Sequence, residues 1–278
     1  VSLLFDALGS PPVQVALVVG AAAALLCAVA GVFTVLRGQA FAGHALADAA
    51  SSGGAAAMLL GWPPLAGYLL LGLTGVAGLE AFSSRRNSTD RDLAAGILLG
   101  AALGLTALLL FLDVTTRAVT GAAMTVMFGA IFALPASVAM GAGCAALGAL
   151  ALAGFLLRPL LLASVSADLA TVAGVNIRLV NMLFLVLLAL AVSLAALTMG
   201  AILATALLTG PAVAALRLVR RPLLAVVLAA VFGLAACWGG VLLAYASYGW
   251  TPGHVWPVSF FATAIVVAVY ALSSLVRR

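Results

Sequence analysis

Two residues of this chain could do chemistry in a place where chemistry is costly. The stretch Arg37–Gly54 reads RGQAFAGHALADAASSGG and sets His44 and Asp48 four residues apart within an apolar segment. On a helix this spacing puts both side chains on one face, one turn apart. An aspartate near mid-membrane costs about 2.5–3.5 kcal/mol on insertion scales, so it needs a partner. Three pairings would satisfy it. The two groups can hydrogen-bond to each other and stiffen the helix. An imidazole nitrogen and a carboxylate oxygen can instead hold a divalent cation such as zinc, manganese or iron. The pair can also relay protons. Spacing alone leaves all three open. Two ligands are too few for a stable metal site, and a homodimer with this segment near its axis would double them.

The elements that must position the pair are membrane helices. Of the 278 residues, 66% are hydrophobic and only 7% are charged, where a soluble domain averages about 25% charged. The apolar runs are near-continuous and do not alternate, which excludes barrel strands. The expectation is an all-α polytopic membrane protein, with residues 1–278 forming a single transmembrane domain. Candidate spans fall near 13–36, 40–60, 64–82, 93–112, 137–157, 177–198, 199–216, 222–246 and 256–275. The segment 118–133, AVTGAAMTVMFGAIFA, is too short to cross and reads as a re-entrant element.

All 12 basic residues are arginine, and their placement orients the spans. With the N-terminus outside, the inner connections hold Arg37, Arg85, Arg86, Arg91, Arg158, Arg178, Arg217, Arg220 and Arg221, and the tail holds Arg277 and Arg278. Only Arg117 falls outside. The bias predicts about nine crossings and a cytoplasmic C-terminus. The net charge of +5 therefore reports topology and membrane lipid, and gives no reason to expect nucleic acid. Cys27, Cys144 and Cys237 lack CxxC spacing and read as small buried hydrophobes. The opening VSLLFDALGSPPVQ has no basic n-region and does not read as a cleavable signal.

The remaining candidates carry less. Gly96, Gly100 and Gly104 line one helix face and predict close backbone packing. SSGG (Ser51–Gly54) could loosen its helix or admit a neighbour. Residues 158–178, RPLLLASVSADLATVAGVNIR, form the longest inner connection. Their amphipathic stretch suits either a surface helix on the inner leaflet or a docking helix for a cytoplasmic partner. Glu80 fits a snorkelling ion pair with Arg85 and Arg86, or an exit-path ligand. Asp6 and Asp113 read as outer-surface residues, and His254 as an interfacial residue of the outer aromatic cluster YASYGWTPGHVW or a metal-handover ligand.

Several of these segments together resemble one family. VLRGQAFAGHALADAASSGG resembles the second-helix region of the divalent-metal permeases of ATP-binding cassette importers, which read something like VLRRMAFLGDALAHAAFPG. SVSADLATVAGVN resembles their coupling-helix segment, SFDPEFARALGLP, with Asp168, Ala170 and Gly174 at matching positions. STDRDLAAGILLG resembles EDTAIGI with Asp92 on the aspartate, VMFGAIFALP resembles LFGNILLVS, and GAILATALLTGPAVAA resembles the helix ending in VTPAATA. The likeness runs through residues 30–275 in order. Three positions depart from it: the Asp-x-x-x-His order is reversed as His44 and Asp48, Gly210 replaces the threonine before proline with Thr209 one place earlier, and Ser166 replaces the first acidic residue of the coupling segment.

The resemblance implies a permease subunit in a bacterial inner membrane, taking up zinc, manganese or iron through His44 and Asp48. It implies a second copy, two cytoplasmic ATP-binding subunits coupled through Asp168, Ala170 and Gly174, an extracytoplasmic metal-binding protein, and no intrinsic cofactor. The sequence carries no GxxxxGK[ST] phosphate loop, so ATP hydrolysis is expected on the partner. Coordination needs a neutral imidazole, so transport should fall as the medium acidifies. Two alternatives stand beside this reading: a metal-chelate, siderophore or corrinoid permease, and a proton-coupled secondary transporter.

Overall fold

The structure is a computed structural model that describes residues 9–82, 88–117, 121–250 and 255–276. Among the described residues there are eleven α-helices and no strands. They are α1 (Pro11–Leu36), α2 (Ala40–Leu60), α3 (Pro64–Phe82), α4 (Ser88–Arg117), α5 (Ala122–Phe128), α6 (Ala136–Val165), α7 (Ala167–Val172), α8 (Ile177–Met199), α9 (Ala201–Leu218), α10 (Pro222–Ser247) and α11 (Val258–Val276), with a 3-10 turn at Ile131–Ala133 between α5 and α6. Among the described residues, 8 helices are long and apolar enough to cross a membrane. The 21-residue α2 is also long enough at about 1.5 Å per residue, and it falls short in hydropathy because it carries His44, Asp48, Ser51 and Ser52. With α2 included, the all-α polytopic architecture is the expected one.

α8 is the hub. Phe184, Leu187, Leu188, Ala191, Val192 and Ala195 have no exposed surface, and α1, α2, α3, α6 and α9 all pack on it. A helix apolar all round is suited to such a place. Where the neighbours come closest, glycine removes the obstacle. On Gly53 of α2 a Cβ would collide with the Gly67 carbonyl of α3, and on Gly67 it would collide with Gly53. The SSGG segment thus admits a neighbour, one of the two expected outcomes.

Both ends of α2 are fixed locally. Gly38, at φ 64°, ends α1 while the Gln39 amide donates to the Thr34 carbonyl at 2.9 Å. Gly61, at φ 72°, ends α2 while the Trp62 amide donates to the Ala57 carbonyl at 2.9 Å. Left-handed glycines of this kind close a helix by capturing its last carbonyls.

The short segment ahead of α6 also behaves as its length requires. α5 has 7 residues, far fewer than the roughly 20 a crossing needs. It stops at Gly129, which meets the α8–α9 break at Gly200, and these two glycines have φ of 80° and 83°. A Cβ on Gly129 would strike the Thr198 carbonyl, and one on Gly200 would strike the Met127 carbonyl. Two interrupted helices therefore cross backbone to backbone.

Four expectations need correction. α6 continues through Arg158 and Pro159 to Val165, so the connection expected over 158–178 is shorter, because a long arginine can leave the bilayer without ending its helix. A Cβ added at Gly100 or Gly104 would meet nothing within 4 Å, and one at Gly96 would meet only the Phe41 ring; within one chain this stripe packs nothing closely. Cys144 is exposed, while Cys27 and Cys237 are buried. Asp113 is buried rather than on the surface. It completes the stripe Ala95, Ala102, Thr106, Asp113 by which α4 rests on the bundle. Asp6, Arg85, Arg86 and His254 lie outside the described residues.

Candidate functional site

α2 holds His44 and Asp48 side by side, with Nε2 and Oδ2 3.8 Å apart. That separation is too long for a direct hydrogen bond. The His44 side chain is 40% exposed and the Asp48 side chain 6%. Nδ1 of His44 is buried with no hydrogen-bond partner. The two groups therefore share a face without bonding to each other. Among the described residues no group of three or more His, Cys, Asp or Glu side chains gathers into a metal-binding cluster.

The wall behind the pair is small and tightly packed. Gly43 stands against Leu208 of α9 and Leu188 of α8, and Gly75 of α3 stands against Leu46 and Ala49. Ser51 and Ser52 return their hydroxyls to the Ala47 and Ala49 carbonyls at 2.8 and 2.7 Å, so their oxygens are partly engaged within α2.

One turn before His44, α2 begins at a polar pocket that sequence reasoning did not assemble. A cavity of about 40 Å³ is lined by Gln39, Glu80, Arg91, Asp92 and Asn181, with Ala42, Leu79 and Leu185 as its apolar wall. Arg37 donates from Nη2 to Oδ1 of Asn181, and its guanidinium lies 5.0 Å from the centroid of the Phe184 ring. Burial, and then the neighbouring Arg91, hold the Arg37 pKa below its ordinary value. The clue in the sequence was the recurrence of charged and amide residues at the ends of four apolar runs, but nothing in those runs says that the ends meet.

The segment expected to couple to a partner forms a compact, well-capped unit. Oγ of Ser166 accepts from the Leu169 amide at 3.3 Å, so the serine that departs from the family pattern serves as the N-cap of α7. Asp168 lies in the first turn, where a carboxylate suits the helix dipole. Ala170 is fully buried. Gly174, at φ 77°, closes the helix as the Val175 amide reaches the Ala170 carbonyl at 2.9 Å. Oδ1 of Asn176 then accepts from the Leu179 amide at 3.1 Å and starts α8. Leu169 and Val172 are 64% and 88% exposed, an apolar outer face on a two-turn helix. Asp168, Ala170 and Gly174 are thus brought together, on an element separate from His44 and Asp48.

The family model of the ABC 3 transport family matches residues 10–272. The chain belongs to this family. Among curated relatives of this ABC 3 chain, it is 29% identical over 232 residues to the manganese transport system membrane protein MntC of Halalkalibacterium halodurans, covering 82% of this chain and 77% of that one. It is 30% identical over 229 residues to the high-affinity zinc uptake system membrane protein ZnuB of Haemophilus influenzae, covering 82% and 86%. Its fold is similar to that of PsaBC from Streptococcus pneumoniae, solved in complex with Fab, with a TM-score of 0.83 and 22% identity over 98% of this chain and 94% of that one.

Proposed function

We propose that this ABC 3 chain is the permease subunit of an importer that takes up a divalent transition metal, manganese or zinc, through His44 and Asp48. The observation that carries the reading is the pair itself. It is a nitrogen and a carboxylate on one helix face, 3.8 Å apart, neither satisfying the other. A purely structural pair would close to hydrogen-bond distance. A buried carboxylate left open in this way calls for a cation. The relatives named for manganese and for zinc support a metal as that cation, and N/O donor sets suit both ions.

The residues then act in order. A metal delivered by an extracytoplasmic binding protein reaches His44 and Asp48, which replace part of its hydration shell. Delivery on the side of Trp250 and Trp256 fits the aromatic ledge there, where Trp256 stacks on Phe261 with ring centroids 6.1 Å apart. Two copies stand with their His44 edges facing, since that edge is half open in one chain. Cytoplasmic ATP-binding subunits seat against Leu169 and Val172, and their closure moves α7 and, through the Asn176 cap, α8. One nitrogen and one carboxylate per chain bind weakly enough to release, as a thiolate cage would not.

The test compares cellular manganese, zinc and iron in wild-type cells, a deletion strain, and the deletion complemented with H44A/D48A at equal membrane level. One metal should fall in the deletion and stay low with the double variant. Full restoration by H44A/D48A would remove the pair from the path, and transport in liposomes without an ATPase would replace the importer with a proton-coupled carrier.

A further inference from the structure

We propose that the pocket lined by Gln39, Glu80, Arg91, Asp92 and Asn181 is a second cation station, which receives the divalent ion from His44 and Asp48 and releases it when Arg37 and Arg91 pair with its carboxylates. The proposal rests on the reading of His44 and Asp48 as the cargo site and extends it to the release step.

Position comes first. Gln39 and Ala42 border the pocket, and His44 is five residues past Gln39, about 7.5 Å along the helix axis. The pocket therefore opens within two turns of the pair, at the arginine-bearing end of the bundle. Four elements meet in it: the start of α2, the end of α3 (Glu80), the start of α4 (Arg91, Asp92) and the first turns of α8 (Asn181).

The donors come next. Two carboxylates and the Gln39 amide oxygen form an all-oxygen set, Oδ1 of Asn181 being held by Arg37, and such a set suits a hard divalent ion such as Mn²⁺ with water completing its shell. A cavity of about 40 Å³ holds such an ion with a few waters, each needing about 10–15 Å³ by the same measure. Oε1 of Gln39 is buried and accepts no hydrogen bond. A buried carbonyl oxygen without a donor is an unmet acceptor that a cation satisfies.

The charges supply the release. Arg91 and Asp92 are exposed and Glu80 is half-buried, so the ion can leave the pocket directly. Here, among the described residues, His44–Asp48 is the one acid–base pair within 4.0 Å. Arg37 instead holds Asn181, lies over Phe184, and keeps Nη1 buried without a partner. A carboxylate offered to that Nη1 would meet a buried donor with no other partner. Among the described residues, two arginines and two carboxylates are thus poised but unpaired. Binding of the ion to Glu80 and Asp92 and pairing of those carboxylates with Arg37 and Arg91 are mutually exclusive. The switch between them lies on α8: Asn181 sits five residues past the Asn176 cap that links α8 to α7. A shift of α7 moves Asn181, frees Arg37, and expels the ion.

The probe is Mn²⁺ alone, followed by electron paramagnetic resonance on the purified permease in an H44A/D48A background, where the cargo pair is absent. The expected result is residual Mn²⁺ binding that falls at least tenfold on adding E80Q/D92N and is retained with E80D/D92E. In the same background R37E, which adds a carboxylate and removes the competitor, should tighten Mn²⁺ binding by about tenfold. Absence of Mn²⁺ binding in the H44A/D48A background, unchanged binding in E80Q/D92N, or no tightening in R37E would each overturn the proposal. With His44 and Asp48 intact, E80Q/D92N should keep Mn²⁺ at the pair while cellular uptake slows at least tenfold; uptake at the wild-type rate would overturn the release step. If H44A/D48A itself transports normally, the cargo reading fails, and the residual binding separately decides the pocket.

Discussion

At the scale of the residue, the unusual feature is the order of the two proposed ligands. The family segment places aspartate before histidine, and this chain has His44 before Asp48. Both arrangements put one nitrogen and one carboxylate a turn apart on one face, so a site built by face rather than by order tolerates the exchange. The double swap H44D/D48H should therefore keep metal uptake within a few-fold of wild type. D48N, which keeps the shape and loses the charge, should lower uptake by about tenfold or more, equivalent to about 1.4 kcal/mol of lost stabilisation. Radiolabelled metal uptake in membranes of matched permease content measures both. A swap as inactive as H44A/D48A would mean that the rotamer each position imposes decides the site, and the reversed order would then mark a different metal preference. The pair was legible in the sequence because two ionisable groups inside an apolar run stand out by cost alone. Their 3.8 Å separation was not legible, since helical spacing fixes the shared face and leaves the side-chain gap to the packing around it.

At the scale of the element, the helices were legible wherever a run of apolar residues met a turn residue, as at Gly61, Pro63 and Pro64. Seven residues of α5 could not have crossed a bilayer, and the sequence said so. The errors came from elements whose limits depend on neighbours. Arg158 and Pro159 look like a stop, yet α6 runs on past them. Asp113 looks like a surface residue, yet its stripe on α4 carries it under. Neither the pocket beside Gln39 nor the crossing of Gly129 with Gly200 could be read, because each joins elements far apart in the chain. The crossing also makes a prediction that separates kinds of glycine. Alanine at a positive φ with extended ψ costs about 1–3 kcal/mol, and at Gly129 and Gly200, with ψ of 165° and 166°, it also meets a backbone carbonyl that cannot move aside. G129A and G200A should lower the Tm of the detergent-solubilised permease by several degrees and reduce folded yield. G100A and G104A face open space and should leave the Tm unchanged in a thermal-shift measurement. A wild-type Tm for G200A would show that the two helix breaks do not touch.

At the scale of the whole molecule, the proposed metal site is only half supplied by one chain. His44 and Asp48 supply two donors where zinc takes about four, and among the described residues no third His, Cys, Asp or Glu joins them. The missing donors can come from water or from a second copy, and the exposed edge of α2 favours the copy: Phe41, one turn before His44, is 42% exposed, and the stripe at Gly100 and Gly104 on the adjoining α4 is bare. Small residues on a bare membrane face let a second backbone come close. If two pairs meet across an axis, the tightest metal binding should saturate at one ion per two chains, and placing bulk at the interface should abolish it without touching a ligand. G100W/G104W is such a variant. Size-exclusion chromatography with light scattering should show it as a monomer, and Zn²⁺ titration should show the tight site gone while H44A/D48A remains dimeric with the same loss. Full-strength binding at one ion per chain in the monomeric variant would place water, not a second copy, in the remaining coordination positions, and each permease would then carry its own metal path.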